Sequence, residues 1–241
     1  MWLLLSGEGI SDMGQCIPAT DFCELPEFKA GAMAWFVDQC VELELGYSVM
    51  DCACIRFIAK PKLAALSKSL ADKKKLRLSG TKQAKETLYY RRNARALAIE
   101  AKKLETELND SVVAVLFRDA DGTQSSERGQ WQAKWDSMLA GFTDEAFARG
   151  VPMIPKPKSE AWLLCAVKNN PYQQCAALEN ESGNDDSPNA LKKQLAVVLN
   201  GQTSAAELVD KITSRQIDVS RIDMPSLQAF KSRLHAVITH L

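Results

Sequence analysis

The 241-residue chain is 46% hydrophobic and 25% charged, with a formal net charge of zero, which is ordinary for a globular protein. Its total charge therefore indicates no particular partner. It holds only two histidines, His235 and His240, so zinc sites and catalysis by Ser/His or Cys/His pairs have little to draw on. An enzyme with this composition would depend on carboxylates and a metal ion.

The apolar runs and the cysteines predict a cytoplasmic protein with no membrane contact. No apolar run approaches the roughly 20 residues that span a bilayer. The opening residues 1–5 are too few for the apolar core of a secretion signal. The seven cysteines are odd in number, scattered, and part of a chain large enough to fold without disulfides. We therefore expect them to be reduced.

The first strand is predicted at residues 2–6, an apolar run that ends in Gly7-Glu8-Gly9. A tight turn and a helix capped by Ser11 are expected next, because glycine allows the turn and serine is a preferred cap. Glu8 would then project from the end of the strand, with Asp12 close behind it. Further on we expect a loop at 17–29, a helix at 30–43 and a strand within 47–58.

Residues 60–95 form a strongly basic segment, with twelve Lys or Arg against two acids. Two helices are expected here, the second ending near Leu108. The charge suits nucleic-acid phosphates, and Tyr89 and Tyr90 could stack on bases or sugars. The alternative is a basic face that packs on the acidic remainder of the chain. The predicted nucleic-acid contacts are Lys73, Lys74, Lys75, Arg77, Lys82, Arg91, Arg92 and Arg95.

A central strand is predicted at residues 112–117, where six apolar residues in a row are typical of a strand buried on both faces. Asp119 and Asp121 follow it directly. Ligands of open α/β sheets bind beyond the carboxyl ends of the strands, and two carboxylates placed there suit Mg²⁺ or Mn²⁺. The alternative is an Asp-Gly turn that closes the strand.

The third quarter of the chain predicts a helix at 127–149, a short strand at 151–154 and a helix at 160–168 capped by Ser159. Glu160 in the first turn would either interact favourably with the helix dipole or supply a further carboxylate to a metal site. Three more helices are expected after an acidic loop at 179–188. We place them at about 188–200, 203–214 and 225–239, in a helical region distinct from a catalytic domain at 1–170.

Three segments resemble the Toprim superfamily, and among its members the OLD-type nucleases. They are SGEGISD at 6–12, VLFRDADG at 115–122 and PKPKSEAWLL at 155–164. The resemblance implies an α/β domain whose mostly parallel sheet is flanked by helices. The distance from Glu8 to Asp119 is long for this family, so the basic helical region at about 60–108 would be an insertion. The helical region at 171–241 would follow the domain.

The same resemblance implies phosphodiester cleavage of DNA or RNA with Mg²⁺ or Mn²⁺. Glu8 would be a metal ligand or general base, Asp119 and Asp121 metal ligands, and Asp12 and Glu160 the remainder of a second metal site. Lys158 or Lys156 would stabilise phosphate. A partner ATPase in anti-phage defence is implied by analogy, and the sequence leaves a homo-oligomer open.

Two rival interpretations remain. DADGT at 119–123 also resembles the opening motif of HAD-type phosphatases, in which Asp119 would be the nucleophile and Asp121 the acid/base. Lys156 or Lys158 would then hold phosphate, and Asp185 and Asp186 would hold Mg²⁺. That motif normally ends the first strand, whereas about 110 residues precede it here. The other rival is a non-catalytic regulatory subunit with a Toprim-like fold.

Overall fold

A computed structural model describes residues 1–70, 85–120 and 131–241 and gives an α/β fold around a five-stranded sheet. The strand order is β3-β5-β1-β6-β7, with β3 antiparallel and the other four strands parallel. The predicted class, a mostly parallel sheet flanked by helices, is therefore confirmed. The strands are β1 (Trp2–Ser6), β2 (Gly14–Cys16), β3 (Phe22–Glu24), β4 (Phe28–Ala30), β5 (Ile55–Ile58), β6 (Val112–Phe117) and β7 (Gly150–Met153).

Eight α-helices are found in the described parts of the chain, and they cover both faces of the sheet. Helices α3 and α4 pack on one face, while α1, α5 and the C-terminal helices pack on the other. The helices are α1 (Ala32–Leu45), α2 (Lys60–Ser69), α3 (Lys85–Leu108), α4 (Trp131–Asp144), α5 (Ser159–Val167), α6 (Leu191–Val198), α7 (Ala205–Thr213) and α8 (Pro225–Ile238).

Residues 112–117 were expected to form the central strand, and all six residues of β6 are buried, but β6 is the fourth of five strands and β1 is the middle one. Successive side chains of a strand point to opposite faces, so an unbroken apolar run serves two cores at once. Val113, Val115 and Phe117 join the core beneath α1 and α5. Val112, Ala114 and Leu116 join the core beneath α3 and α4. The carboxyl ends of β1 and β6 consequently lie side by side, with Ser6 in register with Leu116.

The segment between β1 and α1 differs from its prediction. Ser11 does not cap a helix: Gly9–Met13 forms a single π-helical turn that leads into β2. The expected loop at 17–29 contains β3 and β4, which pair with β5 and β2. These three-residue strands are too short to give a periodic pattern, so their pairing is set by the neighbouring strands.

The prediction of seven reduced cysteines is wrong for four of them. Disulfides join Cys16 to Cys23 and Cys165 to Cys175, and the other three cysteines are free. The fold brings the members of each pair together, with Cα–Cα distances of 5.7 and 5.3 Å. Reduced cysteines were one ground for the predicted cytoplasmic location, and this pairing removes that ground for four of the seven.

The C-terminal helices were predicted at close to their observed positions, as a region of their own. They bury Leu208, Ile212, Phe230 and Leu234 in the same core as β1 and α1. Gln39 of α1 also donates a 2.6 Å hydrogen bond to the Ile212 carbonyl. The helical region thus completes the second face of the sheet. No helix in the described ranges is long and apolar enough to cross a membrane.

Candidate metal and phosphate site

The first two predicted site residues, Glu8 and Asp12, lie directly beyond β1. Glu8 precedes the π-helical turn, and Asp12 is within it. Gly9 has a φ of +80°, and a Cβ built there would approach Asp12 Oδ2 to 2.2 Å. A side chain here would be strained and would displace the Asp12 carboxylate, so glycine is favoured in this turn. The tight turn predicted from the sequence is present, and the positive φ of Gly9 explains why glycine occurs in it.

Ser159 connects the ends of β1 and β6. Its hydroxyl donates a 2.6 Å hydrogen bond to Asp12 Oδ1, and its backbone N–H donates a 3.0 Å bond to Asp119 Oδ1. One residue thus holds two predicted metal ligands that are 107 positions apart in the chain. The sequence suggested only a helix cap for Ser159, whereas it is the first residue of α5 after Lys158 at the cap position.

The electrostatics show how closely the acids are grouped. Burial is the main cause that raises the pKa of Asp12; its hydrogen bond from Ser159 lowers that pKa, and the Glu8 charge raises it. Burial also raises the pKa of Glu160, and the charge of Asp12 adds to the rise. Glu8, Asp12 and Glu160 therefore interact electrostatically, and Asp119 is connected to Asp12 through Ser159. We call these four residues, Glu8, Asp12, Asp119 and Glu160, the strand-end carboxylates.

Two lysines accompany the strand-end carboxylates. Lys60 Nζ lies 3.3 Å from Glu8 Oε2, and Lys158 Nζ lies 3.0 Å from Asp185 Oδ1. The Lys158 side chain is only 13% exposed, and its charge lowers the pKa of both Asp12 and Glu160. Lys158 is thus placed as predicted, beside the acids. Lys60 was not predicted as a site residue, because nothing in the basic segment distinguishes it from its neighbours.

The metal prediction has a mixed outcome. Within residues 1–70, 85–120 and 131–241, no three His, Cys, Asp or Glu side chains are grouped closely enough to hold a metal ion. Asp121, the second acid of the predicted pair, lies outside the described residues. The donor chemistry nevertheless suits Mg²⁺ or Mn²⁺, since carboxylate oxygens are the ligands that these ions prefer. Burial is the main cause of the raised carboxyl pKa values, and a bound cation would favour the charged carboxylates.

The chain after β6 is fixed by groups that sequence reasoning missed. Tyr90 donates from its hydroxyl to the Asp119 carbonyl at 2.9 Å, and Lys134 donates to the Ala120 carbonyl at 2.8 Å. Arg118, only 1% exposed, donates to the Phe117 carbonyl and lies over the Tyr89 ring. These buried contacts orient the backbone on which Asp119 is carried. A buried Lys or Arg has no distinct sequence signal.

The predicted nucleic-acid contacts that can be placed are arginines of α3. Arg91 makes a bidentate pair with Asp144 at 2.6 and 2.7 Å, and Arg95 Nε lies 2.6 Å from Glu145 Oε1. These four residues form what we call the α3–α4 seam. The pairing favours the alternative of a basic face packed on acidic residues for Arg91 and Arg95, while Arg92 is half-buried. Lys73, Lys74, Lys75, Arg77 and Lys82 lie outside the described residues.

Three comparisons, with protein-family models, with curated proteins and with solved structures, find no match for this chain.

Proposed function

We propose that this protein is a divalent-metal-dependent nuclease that cleaves phosphodiester bonds of DNA or RNA. The observation that supports it best is the double hydrogen bond of Ser159, which joins Asp12 after β1 to Asp119 after β6. Glu8 and Glu160 lie in the same charged neighbourhood. These acids lie at the carboxyl ends of parallel strands, which is where open α/β sheets bind their ligands.

The proposed division of labour follows from these positions. Mg²⁺ or Mn²⁺ would be held by Glu8, Asp12, Asp119 and Glu160, together with Asp121 two residues beyond Asp119. Bound there, such cations would supply an activated water and stabilise the charge of the leaving oxygen. Glu8, which is 30% exposed, is the candidate general base. Lys158 would bind a non-bridging phosphate oxygen.

A HAD-type phosphatase remains the second candidate, because Lys158 lies within 3.0 Å of Asp185. That interpretation needs the Asp119 carboxylate as a nucleophile, and one of its oxygens accepts a hydrogen bond from Ser159. It also needs Asp185 and Asp186 as metal ligands, but these residues lie in a loop rather than after a strand. The nuclease proposal requires neither feature.

The test is a cleavage assay with Mg²⁺ or Mn²⁺ on plasmid DNA, single-stranded DNA and tRNA, beside a generic phosphatase substrate. Wild type is compared with Asp119→Asn and Glu8→Gln, and with Asp210→Asn as a control at an exposed acid of α7. We expect cleavage that both site variants lose and the control keeps. Phosphatase activity that requires Asp119 but survives Glu8→Gln would support the second candidate instead.

Further parts of the proposal rest on the resemblance alone. They are a partner ATPase and a role in anti-phage defence. A chain that cleaves nucleic acid only when an ATPase from the same cell is added would support the partnership. Full activity of the isolated chain would contradict it. A non-catalytic regulatory subunit would bind no divalent cation, which separates it from both enzymes.

A further inference from the structure

A cavity of about 570 Å³ opens beside Glu8, at the carboxyl ends of β1 and β5. Gly7 and Gly9, the residues on either side of Glu8, both line it. Its volume falls in the range of about 300–1,000 Å³ that is usual for small-molecule sites. Lys60 and Pro61 of the first turn of α2 form another wall, and the segment from Gly14 to Asp21 forms a third.

Lys60 connects this cavity to the strand-end carboxylates. It lines the cavity, and its Nζ lies 3.3 Å from Glu8 Oε2. A cation held by Glu8 would weaken this ion pair and leave the ammonium group available to a phosphate. The amino terminus of α2 adds positive potential to the same wall, although Pro61 has no N–H and the Leu63 N–H already donates to the Ala59 carbonyl. A phosphate at Glu8 would therefore lie at the mouth of the cavity.

The remainder of the cavity is mainly apolar, with one adaptable polar group. Phe57, which is 3% exposed and stacks on Phe28, contributes a rigid aromatic wall. Ile10 contributes apolar surface, and it is 63% exposed although it is a large hydrophobic residue. Thr20 and Asp21 are already engaged, with the Phe22 carbonyl and Lys62. Gln15 offers an amide that can both donate and accept hydrogen bonds.

We propose that this cavity binds one nucleoside of the substrate, with its phosphate at Lys60 and Glu8 and its base against Phe57 and Ile10. The proposal rests on the proposed nuclease function, since it places the nucleoside next to the phosphodiester bond that is cut. The chemistry matches a nucleotide: a lysine at the mouth for phosphate, apolar walls for a flat base, and an amide for the base edge.

The test compares binding of the common nucleoside 5′-monophosphates with binding of inorganic phosphate, followed by phosphorus NMR in the presence of Mg²⁺. Ala19→Trp fills the cavity, because Ala19 lines it from an exposed loop position. Ala65→Trp is the matched control, at an exposed position of α2 away from the lining. Thermal unfolding of each variant verifies that it is folded.

We expect wild type and Ala65→Trp to bind a nucleotide about tenfold more tightly than phosphate, and Ala19→Trp to lose that advantage. Affinity for inorganic phosphate should be equal in all three proteins. Nucleotides that bind no better than phosphate, or equally well to Ala19→Trp, would overturn the proposal.

The cleavage assay keeps the two proposals separable. One outcome is that the protein binds nucleotides, loses this binding in Ala19→Trp, and cleaves no nucleic acid. That outcome would contradict the proposed nuclease function and support the nucleotide site. Cleavage with an unchanged KM in Ala19→Trp would contradict the cavity and leave the nuclease. If both proposals hold, Ala19→Trp raises KM for the polymer and Ala65→Trp does not.

Discussion

Acidic side chains occur in two contrasting settings in this molecule. At the α3–α4 seam, Asp144 and Glu145 each contact an arginine, with closest distances of 2.6 and 2.5 Å. The strand-end carboxylates have both acids and lysines as charged neighbours, and burial is the main cause that raises the pKa of Asp12 and of Glu160. The acids of the seam are thus paired with arginines of the same chain. The strand-end carboxylates carry negative charge that a bound cation would compensate.

This difference separates a structural use of charge from a functional one. A matched ion pair on a partly exposed helix surface adds little stability and needs no ligand. Clustered carboxylates oppose folding slightly and are typical of sites whose ligand is positive. The contrast predicts that changes at the seam affect stability and leave activity intact, and that changes at the strand ends do the reverse.

The largest expected effect is that of Ser159→Ala. Removing the hydroxyl frees Asp12 from its 2.6 Å hydrogen bond while the Ser159 backbone bond to Asp119 stays. Loss of such a supporting contact typically lowers metal affinity or activity by about 10- to 100-fold. Ser159→Thr keeps the hydroxyl and serves as the control. Equal Mn²⁺ affinity and cleavage rate in Ser159→Ala and wild type would exclude this positioning role.

The next largest effect is expected from reduction of the two disulfides. They connect segments next to the strand-end carboxylates, whereas the seam is held by ion pairs. Cys16 follows the turn that carries Asp12, and Cys165 is in the helix that begins at Ser159. Reduction should lower the free energy of unfolding by about 2 kcal/mol per disulfide. Thiol titration in denaturant should find three thiols before reduction and seven after it. Seven thiols in both samples would contradict the pairing.

A smaller effect is expected from Arg91→Ala at the seam. It removes the bidentate pair with Asp144, whose groups are about one-third exposed, and should cost about 1 kcal/mol of unfolding free energy. A double-mutant cycle with Asp144→Ala isolates the pair from other losses. Cleavage should be unchanged. A large loss of nucleic-acid binding in Arg91→Ala, with little loss of stability, would instead support the prediction that Arg91 contacts nucleic acid.

The smallest effect is that of Asp12→Asn on the metal-free protein. The pKa of Asp12 is raised on folding, so its stabilising contribution is present at low pH and is lost as pH rises through that pKa. Asparagine cannot ionise, so the variant should melt about 2 °C higher than wild type at neutral pH. Melting curves over a pH series check this, and a gain that persists unchanged below pH about 4 would contradict the ionisation account.

The same raised pKa values predict how metal binding depends on pH. Asp12 and Glu160 must lose their protons to bind a cation, and burial is the main cause that keeps those protons on to higher pH. Affinity for Mn²⁺ should therefore begin to fall at a higher pH than the usual carboxyl range of about 4. Calorimetric titration over a pH series measures the onset.

Local sequence patterns were sufficient for part of this architecture. Six consecutive apolar residues located β6, and Asp119 follows it as expected. The apolar run of β1 likewise located Glu8 and Asp12. These predictions succeed because a strand buried on both faces has a distinct composition, and because the carboxyl ends of adjacent parallel strands must meet.

Contacts between distant residues could not be predicted in the same way. The hydrogen bond from Ser159 to Asp12 joins residues 147 positions apart. The arginines of α3 resembled a nucleic-acid surface because their acidic partners are about 50 residues away. The disulfide between Cys16 and Cys23 joins two short strands that only the folded chain brings together. A local sequence pattern indicates which residues are buried. It does not indicate which distant residues form a hydrogen bond, an ion pair or a disulfide with each other.

The central claim is that the strand-end carboxylates bind a divalent cation and that the paired acids of the seam do not. The most direct test is calorimetric titration of Mn²⁺ into wild type, Asp119→Asn and Asp144→Asn, each verified to be folded. We expect wild type and Asp144→Asn to bind Mn²⁺ with equal affinity, and Asp119→Asn to lose binding. Absence of binding in wild type, or equal binding in all three proteins, would contradict the claim.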